Sequence, residues 1–431
     1  MIGRIKFIFI LTVLFLLMGP ALSAASYDII NIDNPSLRKI PLAIPLFKIL
    51  PDSITGAEIS RKPADICSQN LEFTGYFTIL RRDAFLEDPQ NTDISGSNIN
   101  FQNWTGIGAE LLITGGISVK NNMVEMELRL FDTFKGQVLV GKRYKGWTED
   151  QERIIRRFCS EVILYLTGSP GIFNSKIAFV STGSGSKEIY VCDFDGGNPE
   201  RVTSHKSISL FPAWSSDGKW IAYTSYAKGK PDIYVKSFRG GIGSVIANKG
   251  LNITPAWVPG KFMLAATLSF DGDQDIYLLT GKGEKVKRLT KDWGIDTSPT
   301  WSPDGSKMAF VSDRSRTPQI YILYADSGRV ERLTFQGDYN TQPDWSPKGD
   351  KIAYSSRSGG GYNICTIGFD GRGPTVLGRG ESPSWSPDGS MIVFSSGSSI
   401  NVMTAYGTDQ RRLLSMPGAQ TNPKWSPDGM E

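Results

Sequence analysis

The chain has 431 residues, with 47 Lys or Arg against 43 Asp or Glu and one histidine, so its formal net charge is +4. This length exceeds what one ordinary hydrophobic core supports, which predicts more than one domain. Basic residues are interspersed with acidic ones, which argues against a nucleic-acid-binding protein.

The first 25 residues have the layout of a cleaved export signal. Arg4 and Lys6 precede an apolar run at 7–18, and small residues follow up to Ala25. An apolar run of about a dozen residues is too short to span a bilayer, which argues against a membrane anchor. We therefore predict cleavage near Ala25 and an exported chain without stable membrane insertion.

Residues 26–170 are predicted to form an α/β domain, with Gly168 to Gly171 as the linker to the C-terminal part of the chain. Apolar periodicity and turn residues indicate strands at 40–47, 77–80 and 111–114, a hairpin of 124–131 and 137–144, and helices at 56–71 and 149–166.

Residues 171–431 contain the motif Pro-x-Trp six times. The tryptophans are Trp214, Trp257, Trp301, Trp345, Trp385 and Trp425. Their separations of 43, 44, 44, 40 and 40 residues suit one four-stranded propeller blade per repeat and are too long for leucine-rich or ankyrin units. Six repeats predict a six-bladed β-propeller.

Each repeat contains the pieces of four short strands. In the third repeat, Trp301 is followed by the turn Ser302 to Gly305, in which Pro presets φ and Gly tolerates the exit geometry. The runs 308–312, 320–323 and 332–334 then supply three further strands. The repeated tryptophans are expected to pack between neighbouring blades rather than to bind sugar or cations.

The two ends of the repeat region complement each other. The last repeat has its first strand and turn at 423–429 and nothing beyond, whereas 176–203 matches a second, third and fourth strand without a first. We therefore predict that 423–429 joins 176–203 in one shared blade that closes the ring and leaves no open edge.

The cysteines only weakly indicate a disulfide bridge, and the acidic residues only weakly indicate a metal site. Cys67 and Cys159 lie in the first domain and no CxxC motif occurs. Export permits a Cys67–Cys159 bridge, but buried free thiols are the expected state. Asp271, Asp273 and Asp275 alternate as in a calcium loop, yet Lys282 stands where the bidentate Glu belongs. No metal site and no cofactor are predicted.

Catalysis by a nucleophilic triad finds little support. His205 is the one histidine, and the chain lacks a Gly-x-Ser-x-Gly elbow. His205 lies in a predicted loop between blades, where two interpretations stay open: a solvated loop residue or a partner contact. The chain is predicted not to be an enzyme.

The loops that lead into the Pro-x-Trp strands are polar and differ between repeats, which suits recognition of an asymmetric ligand at the channel mouth. The predicted loops are 207–211, 252–254, 296–298, 340–342, 381–382 and 420–422. The residues predicted to contact a partner are His205, Asn252, Thr254, Asp296, Thr297, Ser298, Asn340, Thr341, Gln420 and Thr421.

From the signal to the last repeat, the chain resembles the TolB family, periplasmic components of the Tol-Pal envelope system. The resemblance rests on Tyr27 to Asp33, on Ile40 to Phe47, on Trp104 with Gly108-Ala-Glu and Gly115, on Leu166-Thr-Gly168 and on the six repeats. Leu251 stands where family members often carry a histidine.

The resemblance implies a monomeric, non-enzymatic periplasmic scaffold that supports outer-membrane integrity and constriction at cell division. It implies that the propeller mouth binds a Pal-like peptidoglycan-associated lipoprotein, with Thr254 and Thr297 among the contacts. It also implies that a mobile segment at 26–33 binds a TolA-like inner-membrane protein. The residues of that segment are Ser26, Tyr27, Asp28, Ile29, Ile30, Asn31, Ile32 and Asp33. The alternatives are an exported propeller that binds glycan or peptidoglycan directly, or a propeller lyase or hydrolase.

Overall fold

A computed structural model describes residues 38–427, apart from 52, 54, 55, 89, 92, 239, 241, 242 and 271. The predicted export signal at 1–25 and the predicted partner-binding segment at 26–33 lie outside the described residues.

The N-terminal α/β region is one mixed sheet with helices packed on it. Its elements are β1 (Ile40–Ala43), β2 (Lys48–Ile49), α1 (Ala57–Phe73), β3 (Phe77–Ile79), α2 (Phe101–Gly106), β4 (Leu111–Lys120), β5 (Met123–Asp132), β6 (Gln137–Trp147) and α3 (Gln151–Thr167). Single turns of 3-10 helix span Arg82–Ala84 and Thr148–Asp150. The strand order is β3-β1-β4-β5-β6, with β2 paired to β4; β1 runs parallel to its neighbours, and β4 to β6 are antiparallel.

The structure corrects three details of the predicted elements. Of the run at 40–47 only β1 is a strand, because the chain leaves the ladder around Pro45, which has no N–H to donate, and β2 begins after the run at Lys48. Strand β4 is longer than predicted and reaches Lys120. Helix α2 was not predicted because six residues are too few for a helical period; Asn100 Oδ1 caps it by accepting from the N–H of Gln102 at 3.2 Å.

The chain after α3 forms six four-stranded antiparallel sheets, which confirms the six-bladed propeller. Blade 1 is β10 (Ser209–Trp214), β11 (Trp220–Ser225), β12 (Asp232–Ser237) and β13 (Ser244–Ile246). Blade 2 is β14 (Asn252–Trp257), β15 (Met263–Leu268), β16 (Asp275–Thr280) and β17 (Lys285–Arg288). Blade 3 is β18 (Asp296–Trp301), β19 (Lys307–Ser312), β20 (Gln319–Tyr324) and β21 (Val330–Arg332).

The remaining blades complete the ring. Blade 4 is β22 (Asn340–Trp345), β23 (Lys351–Ser358), β24 (Gly361–Gly368) and β25 (Thr375–Arg379). Blade 5 is β26 (Glu381–Trp385), β27 (Met391–Ser396), β28 (Ser399–Thr404) and β29 (Arg411–Arg412). Blade 6 combines β30 (Gln420–Trp425) with β7 (Lys176–Ser181), β8 (Glu188–Asp193) and β9 (Glu200–Arg201).

Blade 6 is the predicted shared blade. Strand β30 pairs antiparallel with β7, with Gln420 opposite Ser181 and Trp425 opposite Ile177. The backbone N–H of Ser426 donates to the carbonyl of Lys176 at 2.8 Å, so the pairing continues past the tryptophan. The last strand therefore closes the ring that 176–201 begins.

The repeated tryptophans pack between blades, as predicted. Each is at most 9% exposed. Trp345 belongs to a core cluster that contains Val311 and Ile322 of blade 3 together with Ile352 of its own blade. Apolar area removed from water between neighbouring blades thus stabilises the ring as a whole.

The N-terminal region packs against blades 5 and 6, and Lys39 pairs with Asp409 of blade 5 at 2.7 Å. The rings of Phe73 and Phe173 pack against the ring of Phe194 in T-shaped arrangements, at centroid distances of 5.2 and 5.5 Å. Arg156 on α3 pairs with Asp193 at 3.1 Å. Asp193 ends the third strand of blade 6 and Phe194 follows it, so the region sits at the end of the ring where third strands turn into fourth strands.

Candidate functional site

The opposite end of the propeller is formed by two kinds of loop. One kind leads from each blade into the first strand of the next, and the other joins second to third strands; antiparallel pairing brings both to the same end. We call this end the mouth face. Within the described residues, the N-terminal region packs against the other end, which leaves the mouth face uncovered.

Six residues, one from each blade, surround the channel at this face, and we call them the mouth ring. Each immediately precedes the proline of a Pro-x-Trp strand, has a left-handed backbone with φ between 49° and 54°, and lines the channel. The mouth ring consists of Phe211, Thr254, Ser298, Gln342, Ser382 and Asn422. None is glycine, so each position costs roughly 1–3 kcal/mol that the surrounding structure must offset.

A β-bulge produces this backbone in every blade. Register shifts between Ile253 and Ala256 in blade 2, and between Thr297 and Thr300 in blade 3, with the same irregularity at the other four first strands. A bulge bends the strand and redirects side chains. Here it turns the residue before each proline toward the channel.

Hydrogen bonds connect neighbouring members of the mouth ring. The N–H of Ser298 donates to Thr254 Oγ1 at 3.3 Å, and that of Ser382 to Gln342 Oε1 at 3.0 Å. Asn422 Nδ2 donates to Ser382 Oγ at 3.1 Å. The five polar members of the ring thus form two hydrogen-bonded groups, and Phe211 is its apolar member.

Below the ring the channel is a cavity of about 480 Å³, lined by the six Pro-x-Trp segments. The middle residues of those segments differ, and two of them are charged. Lys424 Nζ contacts Asp344 Oδ1 between blades 6 and 4, while Asp344 Oδ2 accepts from the N–H of Trp385 at 2.7 Å. An ion pair therefore links two non-adjacent blades inside the channel.

The structure corrects the environment of four predicted contact residues. Asn252, Asp296, Asn340 and Gln420 begin first strands rather than lying in loops, and each is 0% exposed. Asn252 Nδ2 donates to Asp232 Oδ1 at 3.1 Å, and Asn340 Nδ2 to Gln319 Oε1 at 2.9 Å. The donor atoms of these amides are thus engaged within the blades, whereas Asn340 Oδ1 and Gln420 Oε1 have no hydrogen-bond partner among the described residues.

Asp296 is the charged member of this set. Arg314 Nη2 contacts its two oxygens at 3.0 and 2.9 Å. Burial raises the pKa of the Asp296 carboxyl, against the opposing effects of Ser312 and Arg314. The pair anchors the loop between β19 and β20 to the first strand of blade 3.

The other predicted contacts lie nearer to the channel. Thr254 and Thr297 meet at an Oγ1–Oγ1 distance of 3.4 Å, and both also approach Thr267. Ser298 belongs to the mouth ring, and Thr341 and Thr421 are half-buried beside it. The structure therefore brings together predicted residues from blades 2 and 3.

His205 is half-buried rather than a solvated loop residue. Its Nε2 lies 3.0 Å from the hydroxyl of Tyr223, and its ring is 5.0 Å from that of Tyr234. Burial raises the pKa of Tyr223, which keeps its hydroxyl protonated. His205 thus packs in the wall of blade 1, close to but outside the mouth ring.

Sequence reasoning predicted contacts at only two of the six mouth-ring positions. Phe211, Gln342, Ser382 and Asn422 were included in the predicted loop ranges but not singled out. The available signal is their place immediately before each repeated proline, since a feature repeated in every blade must meet the same backbone geometry.

Metal-binding residues do not cluster in the described part of the chain. Among residues 38–427, with the gaps given above, no group of three His, Cys, Asp or Glu side chains is positioned to hold an ion. Of the aspartates at 271, 273 and 275, Asp275 is buried and engaged by Arg288, and residue 271 lies outside the described residues. Within the same ranges, none of the helices combines the length and apolar character needed to cross a membrane.

Family models match most of the chain. A model described as the TolB beta propeller domain matches residues 164–429, and one described as the TolB amino-terminal domain matches residues 28–139.

Individual relatives agree with these models. A Tol-Pal system protein TolB of Desulfosudis oleivorans is 55% identical over 285 residues, which cover 66% of this chain and 65% of the relative. One of Syntrophus aciditrophicus is 40% identical over 212 residues, covering 48% and 47%. The chain thus spans about half to two thirds of the length of these curated relatives. A crystal structure of TolB from Acinetobacter baumannii superimposes with a TM-score of 0.79 at 30% identity, covering 91% of this chain and 97% of that one.

Proposed function

The chain belongs to the TolB family, and from this membership and the geometry of the mouth face we propose that it is a non-enzymatic periplasmic scaffold of the Tol-Pal system. In this proposal residues 1–25 are removed on export, 26–170 form the α/β domain and 171–431 form the propeller. The scaffold supports outer-membrane integrity and envelope constriction by holding two partners.

The mouth face is proposed to bind a Pal-like lipoprotein. The supporting observation is the mouth ring, in which all six blades hold channel-facing side chains at a strained backbone position. Strain that recurs at one surface is a reason to look there for function. The ring also lies on the end that the described part of the N-terminal region leaves uncovered, which gives a folded domain access to it.

The segment 26–33 is proposed to bind a TolA-like inner-membrane protein. This part rests on the family resemblance of the mature N-terminus and on its place directly before the α/β region. A short segment that orders on binding can engage a partner without rearranging the scaffold.

The two sites are proposed to be coupled through a population shift. In this proposal the segment alternates between a docked form and a free form. Pal then changes the affinity for TolA only if Pal itself binds the two forms with different affinity. TolA changes the affinity for Pal by the same factor. No chemical step is required of the scaffold.

A titration tests Pal binding. Purified full chain is titrated with the lipid-free domain of Pal from the same organism, in parallel with a Thr297→Glu variant that introduces a larger, negatively charged side chain at the mouth. Ser327→Glu is the control, because Ser327 is exposed in the turn between β20 and β21 at the other end. We expect Thr297→Glu alone to weaken binding; absence of binding to the unaltered chain would refute the proposal.

A deletion tests the coupling. The Kd for Pal is compared between the chain beginning at residue 26 and one beginning at residue 34, with and without saturating TolA domain. Equal Kd values in all four measurements would remove any coupling through the segment. Affinity for purified cell wall without any protein would instead favour direct peptidoglycan binding.

A further inference from the structure

Exposed apolar side chains on the mouth face are confined to one side of it. Six large apolar residues there are at least 36% exposed, and Trp293 and Phe335 reach 72% and 73%. All six lie in loops between β9 and β22, which belong to blades 1 to 3 and their junctions. They are Ile208, Tyr226, Phe270, Trp293, Ile295 and Phe335. The corresponding described loops of blades 4 and 5 expose no large apolar side chain.

Positive charge is concentrated on an overlapping part of the same face. Four neighbouring loops, at 182–187, 202–208, 226–231 and 247–251, contain five lysines and no acidic residue. The lysines are Lys187, Lys206, Lys228, Lys230 and Lys249. Lys230 pairs with Asp232, whereas the other four are exposed and form no ion pair with the described residues. A surface of like charge focuses an attractive field for an acidic partner.

Two neighbouring connections on the mouth face, one entering blade 5 and one within it, are unusually short. A single residue, Gly380, connects β25 to β26, and only residues 397 and 398 connect β27 to β28. The equivalent connections in blades 2 and 3 span 289–295 and 313–318. A Cβ on Gly380 would lie 2.4 Å from a ring carbon of Phe394, so this short connection requires glycine. The shorter tryptophan separations of 40 residues in the last two repeats reflect these missing residues.

We infer that the mouth face is an asymmetric docking surface whose partner is a folded protein domain with an acidic surface around an apolar patch. That domain contacts the basic loops of blades 6 and 1 and the exposed apolar side chains of blades 1 to 3, and it contacts the short connections beside blade 5 less. The inference rests on the proposed function, because it specifies the contact surface that the Pal-like partner must present.

A protein fits this surface better than an anionic polymer does. Interfaces between proteins are enriched in exposed aromatic anchors such as Trp293 and Phe335. A polymer held by charge alone would bind to the lysines. Its affinity would not increase through contacts with Ile208 or Ile295, because their side chains have no polar atoms. Lysines at the rim are expected to raise the association rate and its salt dependence.

Two double variants test the inference, each with a matched control. Trp293→Ala/Phe335→Ala removes the two most exposed anchors, and Phe134→Ala is the control, because Phe134 is 72% exposed on the hairpin between β5 and β6. Lys228→Glu/Lys249→Glu reverses charge at the mouth, and Lys261→Glu/Lys282→Glu reverses it in exposed turns at the other end.

Binding of the lipid-free Pal domain to each full-length variant is measured by calorimetry and by association kinetics at 50 and 300 mM NaCl. We expect the aromatic double variant to weaken binding by at least about 10-fold. The mouth charge reversal should slow association at low salt by about 10-fold and flatten its salt dependence. Both controls should stay within about twofold of the unaltered chain.

The outcomes distinguish the docking surface from the proposed function. If the unaltered chain binds Pal but the mouth variants bind as tightly as their controls, the asymmetric surface is refuted and the proposed function stands. If the unaltered chain does not bind Pal, the proposed function fails and the inference fails with it. Circular dichroism of every variant shows whether a loss of binding arises from unfolding.

Discussion

Nε1 of Trp425 donates a 2.6 Å hydrogen bond to Oγ of Ser175, a residue 250 positions earlier in the chain. Ser175 Oγ in turn donates to the carbonyl of Ile172 at 2.6 Å, and Trp425 is 4% exposed. The bond lies where β30 completes the blade that β7 begins. It therefore belongs to the closure of the ring rather than to any single repeat.

Replacing Trp425 with Phe should lower the free energy of unfolding by about 0.5–1.5 kcal/mol more than replacing Trp385 with Phe. Both changes remove a similar buried volume, but Nε1 of Trp385 has no hydrogen-bond partner among the described residues. Urea unfolding followed by intrinsic fluorescence and by circular dichroism measures the difference. Equal losses for the two variants would show that the Ser175 bond does not contribute to closure.

The left-handed backbone of Ser298 predicts opposite effects for the same substitution at two sites. Ser298 has φ 53°, so Ser298→Gly should relieve strain and raise the free energy of unfolding by up to about 1 kcal/mol. Ser358, in strand β23, is not among the left-handed residues, so Ser358→Gly should cost about 0.5–1 kcal/mol. Ser298→Val should be the most destabilising of the three, because β-branched residues disfavour this conformation. Stabilisation by Ser358→Gly and not by Ser298→Gly would contradict the strain argument.

Asp193 makes the junction between the N-terminal region and blade 6 sensitive to acid. Burial acts to raise the pKa of its carboxyl, but hydrogen bonds from Lys176 and Asn198 and the charge of Arg156 outweigh burial and lower the pKa below its ordinary 3.8. A lowered pKa in the folded state means that the carboxylate stabilises the fold above the unfolded pKa. That contribution is lost as the pH falls through the folded pKa.

Asp193→Asn should therefore cost about 1–3 kcal/mol at pH 7, and the difference from the unaltered chain should shrink as the pH falls below about 4. Asp338→Asn is the control, because Asp338 is exposed in the loop between β21 and β22. Urea midpoints at pH 7, 5 and 3 measure both variants. A difference that stays constant across this range would exclude the charge of Asp193 as its origin.

The architecture could be predicted from the sequence because its signals repeat. The six Pro-x-Trp motifs predict the number of blades, and the incomplete last repeat predicts how the ring closes. The pairing of β30 with β7 confirms that closure. Because the motif repeats, a strand predicted in one repeat can be checked against the same positions of the other five. The N-terminal sheet was predicted less well, since the predicted strand at 40–47 ends at Ala43 before Pro45 and the two-residue β2 starts only at Lys48.

The mouth ring could not be predicted from local rules. A residue before proline normally takes an extended backbone, whereas Gln342 and its equivalents are left-handed because a bulge in each first strand requires it. Likewise, Asn252 and Asn340 have the polar character of loop residues, and only the packed blade shows that they are buried and bonded. Burial of a polar side chain depends on partners that are distant in the chain.

The four cysteines should behave as unreactive thiols in the folded chain. All four are buried, and Cys67 Sγ lies 3.9 Å from Cys159 Sγ between α1 and α3. Burial raises the pKa of the Cys159 thiol, which suppresses the reactive thiolate. We expect no reaction with Ellman's reagent at pH 8 until guanidinium is added, when all four thiols should react without a reductant. Two reactive thiols in the unfolded, unreduced protein would instead indicate a Cys67–Cys159 bridge; a Cys67→Ser variant would then show three.

The ion pair inside the channel should couple blades 4 and 6 energetically. The side chains of Lys424 and Asp344 are 32% and 8% exposed, so water screens their attraction less than at the surface. A double-mutant cycle of Lys424→Ala and Asp344→Ala should give a coupling free energy of about 1–2 kcal/mol. The same cycle on Arg329 and Glu331, an exposed pair at 2.9 Å, should be additive within about 0.5 kcal/mol. Additivity at both pairs would show that the channel pair does not tie the two blades together. A coupling that persists in 0.5 M NaCl would show that the pair is shielded from salt inside the channel, because exposed pairs lose most of their attraction at that ionic strength.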